Sequence, residues 1–273
     1  MKYHGLLTSN QGMNKLPTNP CSLLDFNFLR LNAGETIVAE SGDREILAVL
    51  LGGKATFEIN GAKFEKVGGR PNVFSGKPHS VYIPCGAKYS ILAESSVEIA
   101  LPSAPSDLKD IAPYTISPAQ VANGTWGAAN FKRYYHQILT TASQPELPAR
   151  RLIVGETLTP SGNWSTYPAH KHQEDDLPRQ AFHEEMYFFK VNPKEGFGIC
   201  HYYNEEGEEE NFTIRDNSIH MMPKGYHTVV SAPGYTTYYL WFLAGNQRVQ
   251  ATVDDPDTGW VNKTVAMLKE LGH

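Results

Sequence analysis

Cysteine is scarce in this chain. Cys21, Cys85 and Cys200 are odd in number, widely spaced and part of no paired motif, which argues against a disulfide framework and suits a reducing cytoplasm. Long apolar runs are missing too. No stretch approaches the roughly 20 apolar residues of a spanning helix, and the N-terminal MKYHGLLTSNQGMNKLP lacks the continuous apolar core of a signal peptide. A soluble cytoplasmic protein is the expectation. Basic blocks are absent and the formal charge is −5, which speaks against nucleic acid and anionic membrane as partners.

What the chain does have is material for many short strands. Hydrophobic residues make up 41% of its 273 residues, with 23 glycines and 18 prolines to punctuate them. From Glu35 to about Leu101 strand and turn alternate: ILAVLLGG reads as a buried strand, and ATFEINGAKFEKV as a hairpin turning at Asn60-Gly61. HSVYIPCGAKYSILAESSVEIAL then gives strands around Pro84-Cys85-Gly86. A second such region runs from Arg151, through RLIVGETLTP, EMYFFKV, the hairpin GFGICHYYNEEGEEENFTI and TTYYLWFLAG. The glutamates 205, 206 and 208–210 read as a solvated hairpin tip.

The pattern predicts an all-β protein of two barrels or sandwiches. A first domain is placed at 1–105, a connection at 106–150 and a second domain at 151–273. The connection is expected to hold a short helix near Pro118 and the extended segment NFKRYYHQIL. Val261, Val265, Leu268 and Leu271 at helical spacing mark an amphipathic closing helix. The halves echo each other: Glu45 precedes Gly52 by seven positions, with Pro84-x-Gly86 downstream, and Glu185 precedes Asn192 by seven, with Pro223-x-Gly225 downstream.

Chemistry concentrates in WSTYPAHKHQEDDLPRQAFHEEMYFF, residues 164–189. On a strand, residues two apart share a face with Cα atoms about 6.5–7 Å apart, so His170 and His172 can converge on one ion. Downstream, Glu184 and Glu185 enter an apolar run, and His227 follows the Pro223-Lys224-Gly225 turn. Three imidazoles and a carboxylate are suited to a divalent metal, without discriminating among zinc, manganese, iron and nickel. If Glu185 faces the barrel interior, so do His183 and Tyr187, while Glu184 faces away; Lys171, between two inward histidines, points out. The first half has no His-x-His, so it keeps the fold and loses the metal.

These residues resemble the cupin superfamily, whose first motif is a His-x-His followed by a glutamate and a glycine and whose second is a Pro-x-Gly turn ahead of a histidine. The longer gap from His172 to Glu185, Asn192 in place of the glycine and the shorter Pro-x-Gly-x-His turn narrow the family. NWSTYPAHKH, HEEMYFF, PKGYHTVVSAPGYTTYYLWFLAG and GWVNK together resemble the 5-deoxy-glucuronate isomerase family, bicupins of bacterial myo-inositol breakdown related to the 5-keto-4-deoxyuronate isomerases. The likeness spans nearly the whole chain. It implies interconversion of 5-deoxy-glucuronate with 5-deoxy-2-keto-gluconate, with zinc on His170, His172, Glu185 and His227 and no nucleotide cofactor.

An aldose–ketose isomerisation moves two hydrogens between C1 and C2, through an enediol or by hydride shift, and a metal on the carbonyl and neighbouring hydroxyl stabilises the oxyanion on either path. Tyr187 ranks first as accessory proton donor, with His183 beside it; His201 is near in sequence. For the sugar acid's carboxylate the candidates are Arg179, in the loop after the histidine pair, and Arg151, on the entering strand. Rival readings are an oxygen-dependent cupin dioxygenase and a sugar-acid-binding or structural bicupin without turnover. Self-association into a homo-oligomer is expected.

Overall fold

A computed structural model describes residues 2–273. Among these residues the strands fall into four antiparallel sheets of four, six, seven and five strands. The hairpin predicted at Asn60-Gly61 joins the strands Lys54–Ile59 and Ala62–Gly68, with both turn residues at positive φ, as a two-residue loop matching strand twist requires.

Three apolar layers hold the sheets together. One lies inside the first barrel around Phe57, Ile83 and Ile91. Another lies inside the second around Phe189, Phe212 and Val229. The third joins the barrels, with Phe26, Phe28 and Tyr82 of the six-stranded sheet meeting Phe188, Leu240 and Phe242 of the seven-stranded sheet. Phe26 and Phe188 have ring centroids 5.0 Å apart. Each fully buried Phe or Leu contributes about 1.5–3 kcal/mol, so the inter-barrel layer is a core in its own right.

The internal repeat is present strand for strand. The order Ser80–Ile83, Arg44–Gly52, Val97–Pro105, Asp25–Leu31 in the six-stranded sheet recurs as Ser218–Met222, His183–Asn192, Thr236–Gly245, Ile153–Thr159 in the seven-stranded one. The pairing moves the expected echo by one residue. Ile46 pairs with Ile83 as Glu185 pairs with Met222, so Ile46 holds the place of Glu185 and Glu45 that of Glu184. With Ile46 and Tyr89 buried in an apolar cluster, the first barrel has no ligand set at the equivalent place among the described residues.

The segment 106–150 is divided between the barrels rather than lying between them. Tyr114–Ile116 pairs with Ser80–Ile83, while Ala122–Trp126 and Arg133–Leu139 extend the seven-stranded sheet beside Ile153–Thr159. In return His4–Leu6, from the expected first domain, closes the far edge of that sheet against Ser218–Met222. Each segment covers an edge that would otherwise expose unpaired backbone groups. The helix expected near Pro118 is a single turn in which Gln120 N–H donates to Ser117 O at 3.0 Å and Ser117 N–H and Oγ donate to the Gln120 side chain. The closing helix forms at Val265–Glu270 after a 3-10 turn, but buries no residue fully and leaves Met267 and Leu271 exposed. Among the described residues no helix is long and apolar enough to cross a membrane.

Candidate metal centre

His170 lies near the end of the strand Trp164–Lys171 and pairs directly with His227 on Tyr226–Ser231, so the two imidazoles share a face at a ring separation of 4.9 Å. His172, one residue past the strand end, sits 5.9 Å from His170 and 5.7 Å from His227 between ring centroids. Glu185 reaches them from the neighbouring sheet, as the third residue of His183–Asn192. One ligand atom from each of the four lies within 4.8 Å of the others. The turn delivering His227 needs its glycine: Gly225 has φ +92°, and a Cβ there would stand 2.8 Å from the Tyr203 carbonyl oxygen.

Hydrogen bonds set the ring orientations. His172 Nδ1–H donates to the His183 carbonyl at 2.8 Å, which leaves Nε2 as the atom facing the cluster, 3.0 Å from Glu185 Oε2. A backbone acceptor behind a ligating imidazole is the usual way to fix its tautomer. His227 Nε2 stands 3.0 Å from Glu185 Oε2 and 3.0 Å from the Tyr187 hydroxyl, while its Nδ1 is buried without a partner.

Burial alone would raise the Glu185 pKa, but hydrogen bonds from His172 and His227 outweigh it and hold the carboxyl well below the usual range. His170 is pushed well below an ordinary histidine, first by burial and then by His227 and His172. Burial also opposes the proton on His172, where the bond to Glu185 prevails and the pKa rises. A buried anion ringed by three imidazoles, one held neutral, is a donor set suited to a divalent cation.

A cavity opens beside the cluster. Tyr187 and His183 line it as strand parity required. Burial raises the Tyr187 pKa well above 10, so the phenol keeps its proton, whereas His183 Nε2–H is committed to the Gln247 carbonyl at 2.8 Å. Glu184 points the other way, accepting from the backbone N–H groups of Ser22, Leu23 and Leu24. Lys171 pairs outside with Glu205, part of the exposed glutamate tip. His201 bonds Asn211 at 2.9 Å outside the cavity.

Neither arginine expected from the sequence borders the cavity. Arg179 is exposed and paired with Asp176, because its loop turns its tip to solvent. Arg151 donates Nη1 to the Gly245 carbonyl at 2.8 Å and its backbone N–H to Glu45. The cation that does border the cavity is Arg133, together with Trp126, Tyr239 and Trp241. Their signal was in the alternation of RYYHQIL and TTYYLWFL, since a strand reading puts Arg133 and Tyr135, and Tyr239 and Trp241, on single faces. Room for the Trp241 indole comes from Gly155, where a Cβ would fall 2.1 Å from Trp241 Cζ2.

Comparison with known proteins matches residues 8–261 to the KduI/IolB family. The 5-deoxy-glucuronate isomerase of Geobacillus kaustophilus (strain HTA426) is 38% identical over 250 residues, covering 90% of this chain and 88% of the relative. That of Bacillus subtilis (strain 168) is 34% identical over 260 residues, covering 94% and 92%. Among solved structures, an IolB-like protein from Salmonella typhimurium LT2 superposes with a TM-score of 0.89 at 29% identity, over 96% of this chain and 100% of the other. The oxalate decarboxylase of Lactobacillus farciminis superposes at 0.67 with 11% identity, over 93% and 88%. That last likeness bears on fold alone and agrees with two cupin barrels.

Proposed function

Because the chain belongs to the KduI/IolB family and is an isomerase, we propose that it interconverts 5-deoxy-glucuronate and 5-deoxy-2-keto-gluconate, as in myo-inositol breakdown, with a divalent metal held by His170, His172, Glu185 and His227. The observation that carries the reading is the meeting of these four ligand atoms within 4.8 Å on the wall of a cavity. Zinc is the ion the family resemblance favours, and the same donors accept manganese, iron or nickel. Bound there, the ion supplies a Lewis acid for a carbonyl and its neighbouring hydroxyl.

The remaining work falls to the chain's own side chains. Tyr187, protonated and 3.0 Å from His227 Nε2, is placed to donate to a developing substrate oxygen. His183 closes the wall next to Glu185 and, with Nε2–H held by Gln247, positions His172 through its carbonyl. The apolar and aromatic wall of Trp241, Leu243 and Tyr239 keeps water from the reacting carbons.

The test is an isomerase assay on 5-deoxy-glucuronate with purified protein, before and after chelation, with single metals added back and a His172→Ala control. Conversion that falls at least tenfold on chelation, returns with one metal and is missing in His172→Ala is the expected result. Metal-loaded protein that binds the sugar acid without converting it would sink the isomerase reading in favour of a binding protein. Oxygen uptake would replace it with an oxygenase.

A further inference from the structure

Arg133 is a guanidinium without a carboxylate. It opens the strand Arg133–Leu139 opposite Trp126. The register through Tyr135 and Thr157 to Tyr239, and from Trp241 to Tyr187, places Arg133 on the sheet face that carries Glu185. The guanidinium lies 5.7 Å from the Trp126 ring centroid. Its Nη1 makes two long contacts, 3.3 Å to the Phe131 carbonyl and 3.4 Å to that of Tyr167, and its Nε is shielded from solvent with no partner. Among the described residues no carboxylate lies within ion-pair distance of Arg133. Asp254 acts on it only at longer range, and its Oδ2 accepts from Asn262. Arg70, by contrast, is closed bidentately by Glu156 at 2.9 and 3.0 Å.

Two more donors on the same wall lack partners: Thr157 Oγ1 and Trp241 Nε1 are buried without a hydrogen bond and border the cavity. Leaving a half-buried cation without a counter-charge and two shielded donors unsatisfied is unfavourable, and one anionic acceptor with several lone pairs answers all three. A carboxylate has that capacity, and its two oxygens match the planar guanidinium fork. Burial works against the Arg133 charge, so an anion entering the cavity meets a cation weakly compensated by the chain itself.

We propose that Arg133, assisted by Thr157 and Trp241, binds the carboxylate of the substrate and thereby selects aldoses that carry an acid group over neutral ones. The inference rests on the isomerase reading above and gives it a specificity determinant, in the place where Arg179 and Arg151 were expected. The four-ligand cluster takes the carbonyl end of the sugar acid, and Arg133 takes the other.

The test compares wild type, Arg133→Lys and Arg133→Met, each metal-loaded and checked for unchanged metal content and unfolding midpoint. Substrates are 5-deoxy-glucuronate and its neutral counterpart with a hydroxymethyl group in place of the carboxylate. Wild type is expected to prefer the acid. Arg133→Met is expected to lower kcat/KM for the acid on the order of 10²-fold, mainly through KM, the loss that removal of a charge-assisted hydrogen bond brings, while the neutral sugar changes little. Arg133→Lys, which keeps the charge but not the fork, falls between. Equal losses on both sugars, leaving the preference intact, would overturn the assignment and make Arg133 structural. If wild type converts neither sugar, the isomerase reading fails by itself, and calorimetry then decides Arg133. Tighter binding of the acid that disappears in Arg133→Met upholds it, and binding without such preference overturns it.

Discussion

Gly155 carries a residue-scale consequence of how the cavity is built. It pairs with Trp241 across two strands, and the missing Cβ is what makes room for the indole against the backbone. A Gly155→Ala chain must move Trp241 or the strand. Overpacking of a tight interior typically costs about 1–3 kcal/mol, which for a chain of this size lowers the unfolding midpoint by roughly 2–4 °C per kcal/mol. A thermal melt by circular dichroism checks this; an unchanged midpoint would mean that the indole has free room on its other side.

At the scale of the element, the strand His4–Leu6 makes a pH-dependent contact. His4 pairs with His220 and stacks on Phe212 at 5.2 Å, and burial, against a backbone bond at Thr213, lowers its pKa to about 4. The unfolded chain protonates near 6.5, so below that pH it binds a proton that the folded chain refuses. Stability is therefore unaffected by His4 above pH 6.5 and falls as the pH drops from 6.5 to about 4, by about 1.4 kcal/mol per pH unit. The expected outcome is that His4→Phe, which keeps the stack, loses less stability than wild type between pH 7 and pH 4.5 in urea titrations. Parallel losses in the two proteins would place the acid sensitivity elsewhere, with buried His220 the next group to examine.

The whole molecule is joined by reciprocal carboxylates. Glu45 of the first barrel accepts the backbone N–H groups of Arg150, Arg151 and Leu152, which lead into the second. Glu184 of the second accepts those of Ser22, Leu23 and Leu24, which lead into the first. Between them Arg70 pairs with Glu156, which also accepts from Tyr238 at 2.8 Å and contacts His136 at 2.7 Å. Burial would raise the Glu156 pKa, but Arg70 and His136 keep it low and the carboxylate ionised. Removing one partner of a buried pair costs about 3–5 kcal/mol, so Arg70→Met is expected to be that destabilising. The Arg70→Met, Glu156→Gln double variant should lose less than the sum of its singles. Urea unfolding of the four proteins measures the coupling; simple additivity would show that the pair does not act as a unit.

The sequence determined the all-β class, the repeated barrel, the His-x-His pair with Glu185 and His227, and the inward face of Tyr187. All of these follow from local rules: strand alternation, turn chemistry at Asn60-Gly61 and Pro223-x-Gly225, and the fixed two-residue period that puts His170 and His172 together. The tertiary structure alone decided what crosses between segments. It put His4–Leu6 and Arg133–Leu139 into the second barrel's sheet, set Ile46 in the register place of Glu185, and brought Arg133 rather than Arg179 or Arg151 to the cavity. Proximity in sequence to the histidine pair favoured Arg179, but its loop ends in solvent, whereas strand pairing carries Arg133 across Ile153–Thr159 and Thr236–Gly245 toward Glu185. Which strands become neighbours depends on burying both faces of two sheets at once, a condition on the whole chain that no local pattern contains.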